Sequence, residues 1–232
     1  TARKYGMNCR RLTWNPNYKG FDDWQLALRR ENQRRKEIDR LSFKAQYLRG
    51  LCELAHIEDC IALWQHLAEN KNCLTEYLGL TRAEHETFLR QGRDALGALL
   101  EPQRRKQRFV LYQLELDEQK AIPFAFKDIT ALKAAGYEQP PAAMYYVAGS
   151  GEIYCPAEES DDTLLKRLFA DCRERLPEGC RGRPMAVSDV VELNHGAKRA
   201  YYYVSGQDQF RQVKFSHMLA KKEIPEKTQE RF

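Results

Sequence analysis

Ser188, Asp189 and His195 are the residues of this 232-residue chain whose types, close together in sequence, could support nucleophilic chemistry. A hydroxyl would attack, an imidazole would take its proton, and a carboxylate would orient the imidazole. They sit in an apolar run, Val187, Val190, Val191 and Leu193, that leads into Asn194-His195-Gly196 and leaves through Tyr201 to Val204. That is the pattern of a β-hairpin whose turn tolerates positive φ. A strand alternates its faces, so Ser188 and Asp189 should point oppositely, and His195 should fall in the turn. No triad is expected. The chain also lacks Gly-x-x-x-x-Gly-Lys-Ser, Gly-x-Ser-x-Gly and His-Glu-x-x-His, which removes the usual sequence support for nucleotide cradling, a nucleophile elbow and zincin chemistry. Gly149-Ser150-Gly151 reads as a flexible turn joining two apolar segments, too short to be a phosphate loop. Cys52, His56 and Cys60 fall at i, i+4 and i+8, with His66 nearby. They would share a helix face if the segment is continuous, although three ligands on one straight helix converge poorly on a metal. The chain is read as non-enzymatic, with no cofactor and no metal assigned.

The chemistry that remains is contact with a polyanion. Up to Arg108 the chain holds 21 Lys and Arg against 14 Asp and Glu, whereas residues 109–220 hold 13 against 16, within a formal net charge of +5. Clustered Lys and Arg are what phosphate contact requires. The candidates are Arg29, Arg30, Arg34, Arg35, Lys36 and Arg40 in a stretch dense in helix formers, and Arg104, Arg105 and Lys106 after Pro102. Arg29 to Arg49 should form one long basic helix or two abutting ones. His56 to Glu69 should form another, with Ile57, Ile61, Leu63, Trp64 and Leu67 as its core face. Leu74 to Gly92 is worded like a helix-turn-helix: Gly79 at the turn, Thr81 and Glu84 as a capping box, and Leu74, Leu78, Leu80, Phe88 and Leu89 as the apolar face. A recognition helix should show Arg, Lys, Asn or Gln to base edges, and here Glu84, His85 and Glu86 dominate. Arg82, Arg90 and Arg93 are therefore assigned to phosphate, and binding is expected to be nonspecific, with DNA or RNA left open. Tyr201, Tyr202 and Tyr203 could offer stacking surfaces, but alternating Tyr is ordinary strand material.

The elements that would hold these residues form an α+β protein, an N-terminal helical region followed by a small α+β domain with a mainly antiparallel sheet. Composition fits an ordinary globular chain, 43% hydrophobic and 31% charged. No apolar run approaches the roughly 20 residues of a spanning helix. Seven cysteines without Cys-x-x-Cys spacing fit reduced thiols, so the expected location is the cytoplasm. Phe109 to Leu116 and Ala142 to Ala148 read as strands, Lys127 to Ala135 as a helix closed by Gly136, and Ser160 as the cap of a helix through Leu164, Leu165, Leu168, Phe169 and Cys172. The hairpin and a strand Phe210 to Phe215 follow.

The stretch Ala186-Val187-Ser188-Asp189-Val190-Val191, followed by the Tyr-rich strand, resembles the signature of the YodL-like domain of Gram-positive mobile-element proteins, over about residues 108–219. Trp14-Asn-Pro-Asn-Tyr-Lys-Gly-Phe-Asp-Asp-Trp24 resembles the exit of a TOPRIM domain in primase-like proteins, over about residues 1–30. That family's metal chemistry needs an upstream Glu and Asp-x-Asp, so Asp22 and Asp23 alone would serve only as first-turn charge on a helix. The implied organisation is a TOPRIM-exit-like segment at 1–30, a helical domain at 31–101, a basic linker at 102–108, the YodL-like domain at 109–220 and a loose tail at 221–232. The functional expectation is an accessory module of a mobile genetic element, touching nucleic acid through its helical half and an unidentified protein through the other. Two alternatives accompany it: an inhibitor of a host defence nuclease such as a CRISPR effector, and the C-terminal fragment of a TOPRIM primase-like protein.

Overall fold

A computed structural model describes residues 21–66, 73–116, 119–174, 176–177, 179–196 and 198–222. Most of the TOPRIM-like stretch expected at 1–30 lies outside these residues. Among those described, no helix is long and apolar enough to cross a membrane.

Two helices stand where one or two were expected, Phe21–Asp39 (α1) and Phe43–Leu48 (α2). Ser42 separates them because its hydroxyl accepts from the Ala45 amide and caps α2. His56–His66 (α3), Leu74–Leu78 (α4), Arg82–Gln91 (α5) and Arg93–Leu100 (α6) complete the helical part. Gly79 closes α4 at φ 71°, and the Thr81/Glu84 capping box opens α5 as the sequence predicts. Phe43, Tyr47, Ile57, Cys60, Leu78, Leu80, Leu96 and Leu100 meet in one core. Two expectations for these helices are corrected. Leu89 and Leu63 are exposed rather than in the core. Glu84 is buried rather than displayed, because it accepts from Lys44 Nζ at 2.8 and 3.0 Å, Gln103 Nε2 at 2.7 Å and the Thr81 amide at 2.7 Å.

The basic stretch read as a linker, 102–108, continues into the sheet: Arg104–Leu114 is a single strand (β1). Its first residues are held because Arg104 lies over the Tyr47 ring at 4.4 Å and over the Tyr154 ring at 4.6 Å, joining the helical part to the sheet. Tyr145–Pro156 (β2), Val190–His195 (β3), Lys198–Gly206 (β4) and Gln209–Val213 (β5) complete an antiparallel sheet in the order β2-β1-β3-β4-β5. Ile129–Ala134 (α7) and Asp161–Cys172 (α8) fill the two connections flanking β2. Asp128 and Ser160 cap them by accepting from the Ala131 and Thr163 amides. The sheet alternates as strands must. Phe109, Leu111, Val191, Leu193 and Val204 pack against Leu164, Leu165, Leu168 and Phe169 of α8. Tyr112, Leu114, Val190 and Tyr203 face Phe124, Leu132 and Phe215 on the other side.

Gly149-Ser150-Gly151 is not a turn but the middle of β2, opposite Leu111, Val110 and Phe109. The register slips between Leu111 and Tyr112, so β2 carries a bulge there. The glycine is required because the chain at Cys180 crosses against it, with the Arg181 amide donating to the Ala148 carbonyl at 2.6 Å. A Cβ on Gly149 would lie 2.8 Å from the Cys180 Cα. Gly149→Ala should therefore cost about 1–3 kcal/mol by overpacking, read as a shift in urea midpoint at constant slope. Lys221, placed in the loose tail by its composition, is pinned instead. It bridges β2 through the Val147 amide at 2.9 Å and the Tyr145 carbonyl at 2.8 Å, and its ammonium meets Glu115.

Candidate nucleic-acid interface

Among the described side chains of α1 only Gln25 and Ile38 are half-buried and Leu26 and Leu28 are exposed, so packing of these residues does not explain its run of cations. At 3.6 residues per turn, positions separated by four, seven and eleven residues return to within about 40° of the same direction. Arg29, Gln33, Lys36 and, one residue past the helix end, Arg40 therefore form one stripe, and all four are exposed. Among the described residues no ion pair engages Arg29, Lys36 or Arg40. Arg34 points roughly the opposite way and is bound to Asp171 of α8 at 2.8 Å. Burial pushes the Asp171 carboxyl above its ordinary range and the Arg34 guanidinium opposes that shift. This pair fastens α1 by its back while the stripe stays in water.

The other predicted cations divide by their partners. Arg35 closes an i, i+4 pair with Glu31 at 2.8 Å, Arg82 one with Glu86 at 3.2 Å, and Arg93 reaches Glu58 at 3.1 Å. Arg90 is exposed and free of carboxylates among the described residues. The side chain of Arg30 lies outside the described set. In β1, Arg104 holds Glu101, whose carboxyl it lowers, and Arg105 donates to the Glu159 carbonyl at 2.8 Å. Lys106 meets Glu152, and each holds the other charged: the lysine is raised, the glutamate lowered. The twelve candidates are thus not one surface. The stripe on α1 and Arg90 on α5 keep free charge, whereas the β1 trio is committed to holding the sheet and helices together. Gln33 is the stripe member that a search for charge alone overlooks, and its i+4 spacing from Arg29 is the signal that finds it.

The residues considered for catalysis are separated. Ser188 has φ 78° and is fully buried; its hydroxyl accepts from the Phe126 amide at 3.1 Å, and its carbonyl accepts from Tyr145 at 3.0 Å. β3 begins only at Val190, so the expected strand alternation does not reach Ser188. Asp189 is also fully buried, bound through both carboxylate oxygens to the Arg183 guanidinium, with the Ala186 amide at 2.9 Å and Gln113 Nε2 at 3.3 Å. Burial drives its carboxyl upward and the four donors oppose that shift. His195 lies elsewhere, at the end of β3 rather than in the turn, with Nε2 2.9 Å from Asp161, which also accepts from Tyr202 at 2.6 Å. Of the three tyrosines, Tyr202 and Tyr203 point to opposite sides and are engaged by Asp161 and the Lys127 carbonyl. Cys52 precedes α3, which starts at His56, so Cys52, His56 and Cys60 do not share a continuous helix. No group of three potential metal ligands gathers among the described residues.

The Ser188-Asp189-Val190-Val191 segment is accordingly a structural latch: a left-handed residue, a buried ion pair, then two core valines entering β3. Residues 108–215 match the family model of the YodL-like domain. The YodL-like match starts inside β1 and runs past the end of β5, so it takes in all of α7, α8 and β2 to β5. Comparison with curated proteins and with solved structures found no match.

Proposed function

We propose that this chain is a non-enzymatic accessory module of a mobile genetic element, touching nucleic acid through its helical half and a protein partner through its YodL-like half. The observation that carries the first contact is the α1 stripe, where Arg29, Lys36 and Arg40 are aligned, exposed and without carboxylate partners among the described residues. Such a row suits successive phosphates, and a helix fastened by Arg34 on its back need not move to present it. We read the contact as nonspecific, because a row of three cations suits successive phosphates, and phosphate contacts carry no sequence information. The protein contact is supported by apolar side chains left in water on the YodL-like half, Ile122, Phe126, Met218 and Leu219.

Reversing four charges, Arg29→Glu, Lys36→Glu, Arg40→Glu and Arg90→Glu, tests the reading. Anisotropy with a labelled duplex of arbitrary sequence should show binding weakened at least about tenfold, and a salt slope smaller by about 3–4. Unchanged retention of the duplex and unchanged slope reject the proposal.

A further inference from the structure

Among the described residues, the sheet face that carries α7 is covered over only half its length. At the covered end Tyr112, Leu114, Val190, Tyr203 and Phe215 are buried. At the other end Arg108 on β1 stands opposite Asn194 on β3, and Asn194 stands opposite Arg199 on β4. With neighbouring strands about 4.8 Å apart, the three form a row crossing roughly 10 Å of sheet. Arg108 and Arg199 are exposed and Asn194 is half-buried.

Two carboxylates share this field, and each already has its own cation. Glu152 is held by Lys106. Glu192 is buried, accepts from the Tyr112 hydroxyl at 2.7 Å, and has Arg199 Nε 3.5 Å away. Arg108 stands opposite Glu152 and helps lower its carboxyl through space, but its guanidinium makes no hydrogen bond or close ion pair among the described residues. Beside the row the His217 ring lies nearly parallel to Tyr201, with centroids 6.1 Å apart and planes 16° apart. Arg199 Nη1 approaches His217 Nε2 at 2.6 Å, and the Tyr201 hydroxyl meets Nδ1 at 2.8 Å, so the ring pair is fixed in direction next to the cations.

From this juxtaposition we infer that the open half of the sheet binds single-stranded nucleic acid, with Arg108 and Arg199 on the backbone and a base stacked at the Tyr201–His217 pair. The inference rests on the reading of the chain as a nucleic-acid-contacting module and adds the strandedness of the ligand. A duplex hides its base faces, so a ring pair held beside guanidinium groups gains nothing from one. An unpaired strand exposes a π face at every nucleotide and its phosphates alongside. Charge also decides against an acidic peptide as the preferred occupant, because carboxylates would use Arg108 but leave the ring pair idle. Asn194, lying between the two arginines, offers donors and an acceptor to a sugar or base edge.

Arg108→Glu reverses a cation that makes no hydrogen bond or close ion pair among the described residues and leaves Glu152 its Lys106 partner, and His217→Ala removes one ring of the pair from a short surface turn. Labelled decamers of uridine and of deoxythymidine, and a duplex, are titrated by anisotropy with the full chain. Each variant should bind the single strands about tenfold more weakly and the duplex unchanged within about twofold. The α1 charge reversals should weaken both. The tighter of the two decamers identifies the sugar. A 5-iodouracil strand irradiated on the parent protein should crosslink to a peptide containing Tyr201 or His217. Single-strand affinity equal to the parent in both variants, or crosslinks confined to α1, overturns this inference and leaves the α1 reading standing. Failure of the parent to hold duplex or single strand overturns both.

Discussion

Asp189→Ala should destabilise the YodL-like half by about 3–5 kcal/mol, a large part of the 5–15 kcal/mol typical of a folded domain. The loss has an identifiable origin. Asp189 is fully buried and takes both nitrogens of the Arg183 terminus, while Arg183 itself is also buried, against the Phe126 ring at 4.8 Å. Removing the carboxylate leaves a guanidinium in the interior without its counter-charge. The Ala186 amide and Gln113 Nε2 each lose an acceptor as well. Gln113 also holds the Arg183 carbonyl at 2.7 Å and accepts from Tyr146 and the Arg183 amide at 3.1 Å, so the damage spreads across β1 and β2. The companion double variant, Arg183→Met with Asp189→Leu, removes both charges together and should recover a substantial part of the loss. Urea unfolding followed by circular dichroism measures both. A stability within about 0.5 kcal/mol of the parent for Asp189→Ala would show that the pair carries no weight.

Features set by neighbours in sequence were legible, and those set by distant crossings were not. Ser160, Thr81 and Gly79 announce helix ends because capping and left-handed turns are local chemistry, and each is found doing that job. The hairpin at Gly196, with φ 65°, is legible for the same reason. Gly149 was misread because the chain that crosses it at Cys180 comes from beyond α8, and a Gly-Ser-Gly triplet looks the same in a turn as in a strand pressed by another backbone. Ser188 was misread because its positive φ is stabilised from Phe126 and Tyr145, in other parts of the chain. The candidate interface divides likewise. The Arg29, Lys36 and Arg40 alignment follows from helix periodicity alone. Which cations are spent internally depends on partners such as Asp171 for Arg34 and Glu159 for Arg105, and no spacing rule brings those together.

Glu84→Gln should weaken the helical half by about 3 kcal/mol at pH 7, and the difference from the parent should shrink in acid. The carboxylate is held down to about 2 by its donors, Gln103, Lys44 and the Thr81 amide, which together outweigh the burial that would raise it. Its ordinary value is 4.5. A folded value below the unfolded one means that the stabilisation is complete above about pH 4.5 and is lost as pH falls from there towards about 2. A shift of that size corresponds to about 3 kcal/mol. The variant loses the charge that Lys44 needs in a site where the lysine side chain is only 16% exposed, and weakens the reciprocal cap on α5. Adding Lys44→Met should restore stability because no unpaired ammonium then remains inside. The parent and Glu84→Gln are unfolded with urea at pH 7 and at pH 3, followed by the circular dichroism of the helices. Parallel loss of stability in both proteins between the two pH values would exclude Glu84 as the titrating group, whereas convergence of their midpoints towards pH 3 is the expected result. Because Gln103 joins the same carboxylate just ahead of β1, the acid-induced loss should also loosen the Arg104 seat between Tyr47 and Tyr154. Earlier exposure of the helix–sheet junction than of the YodL-like core, seen by hydrogen exchange near pH 3, is the corresponding signature.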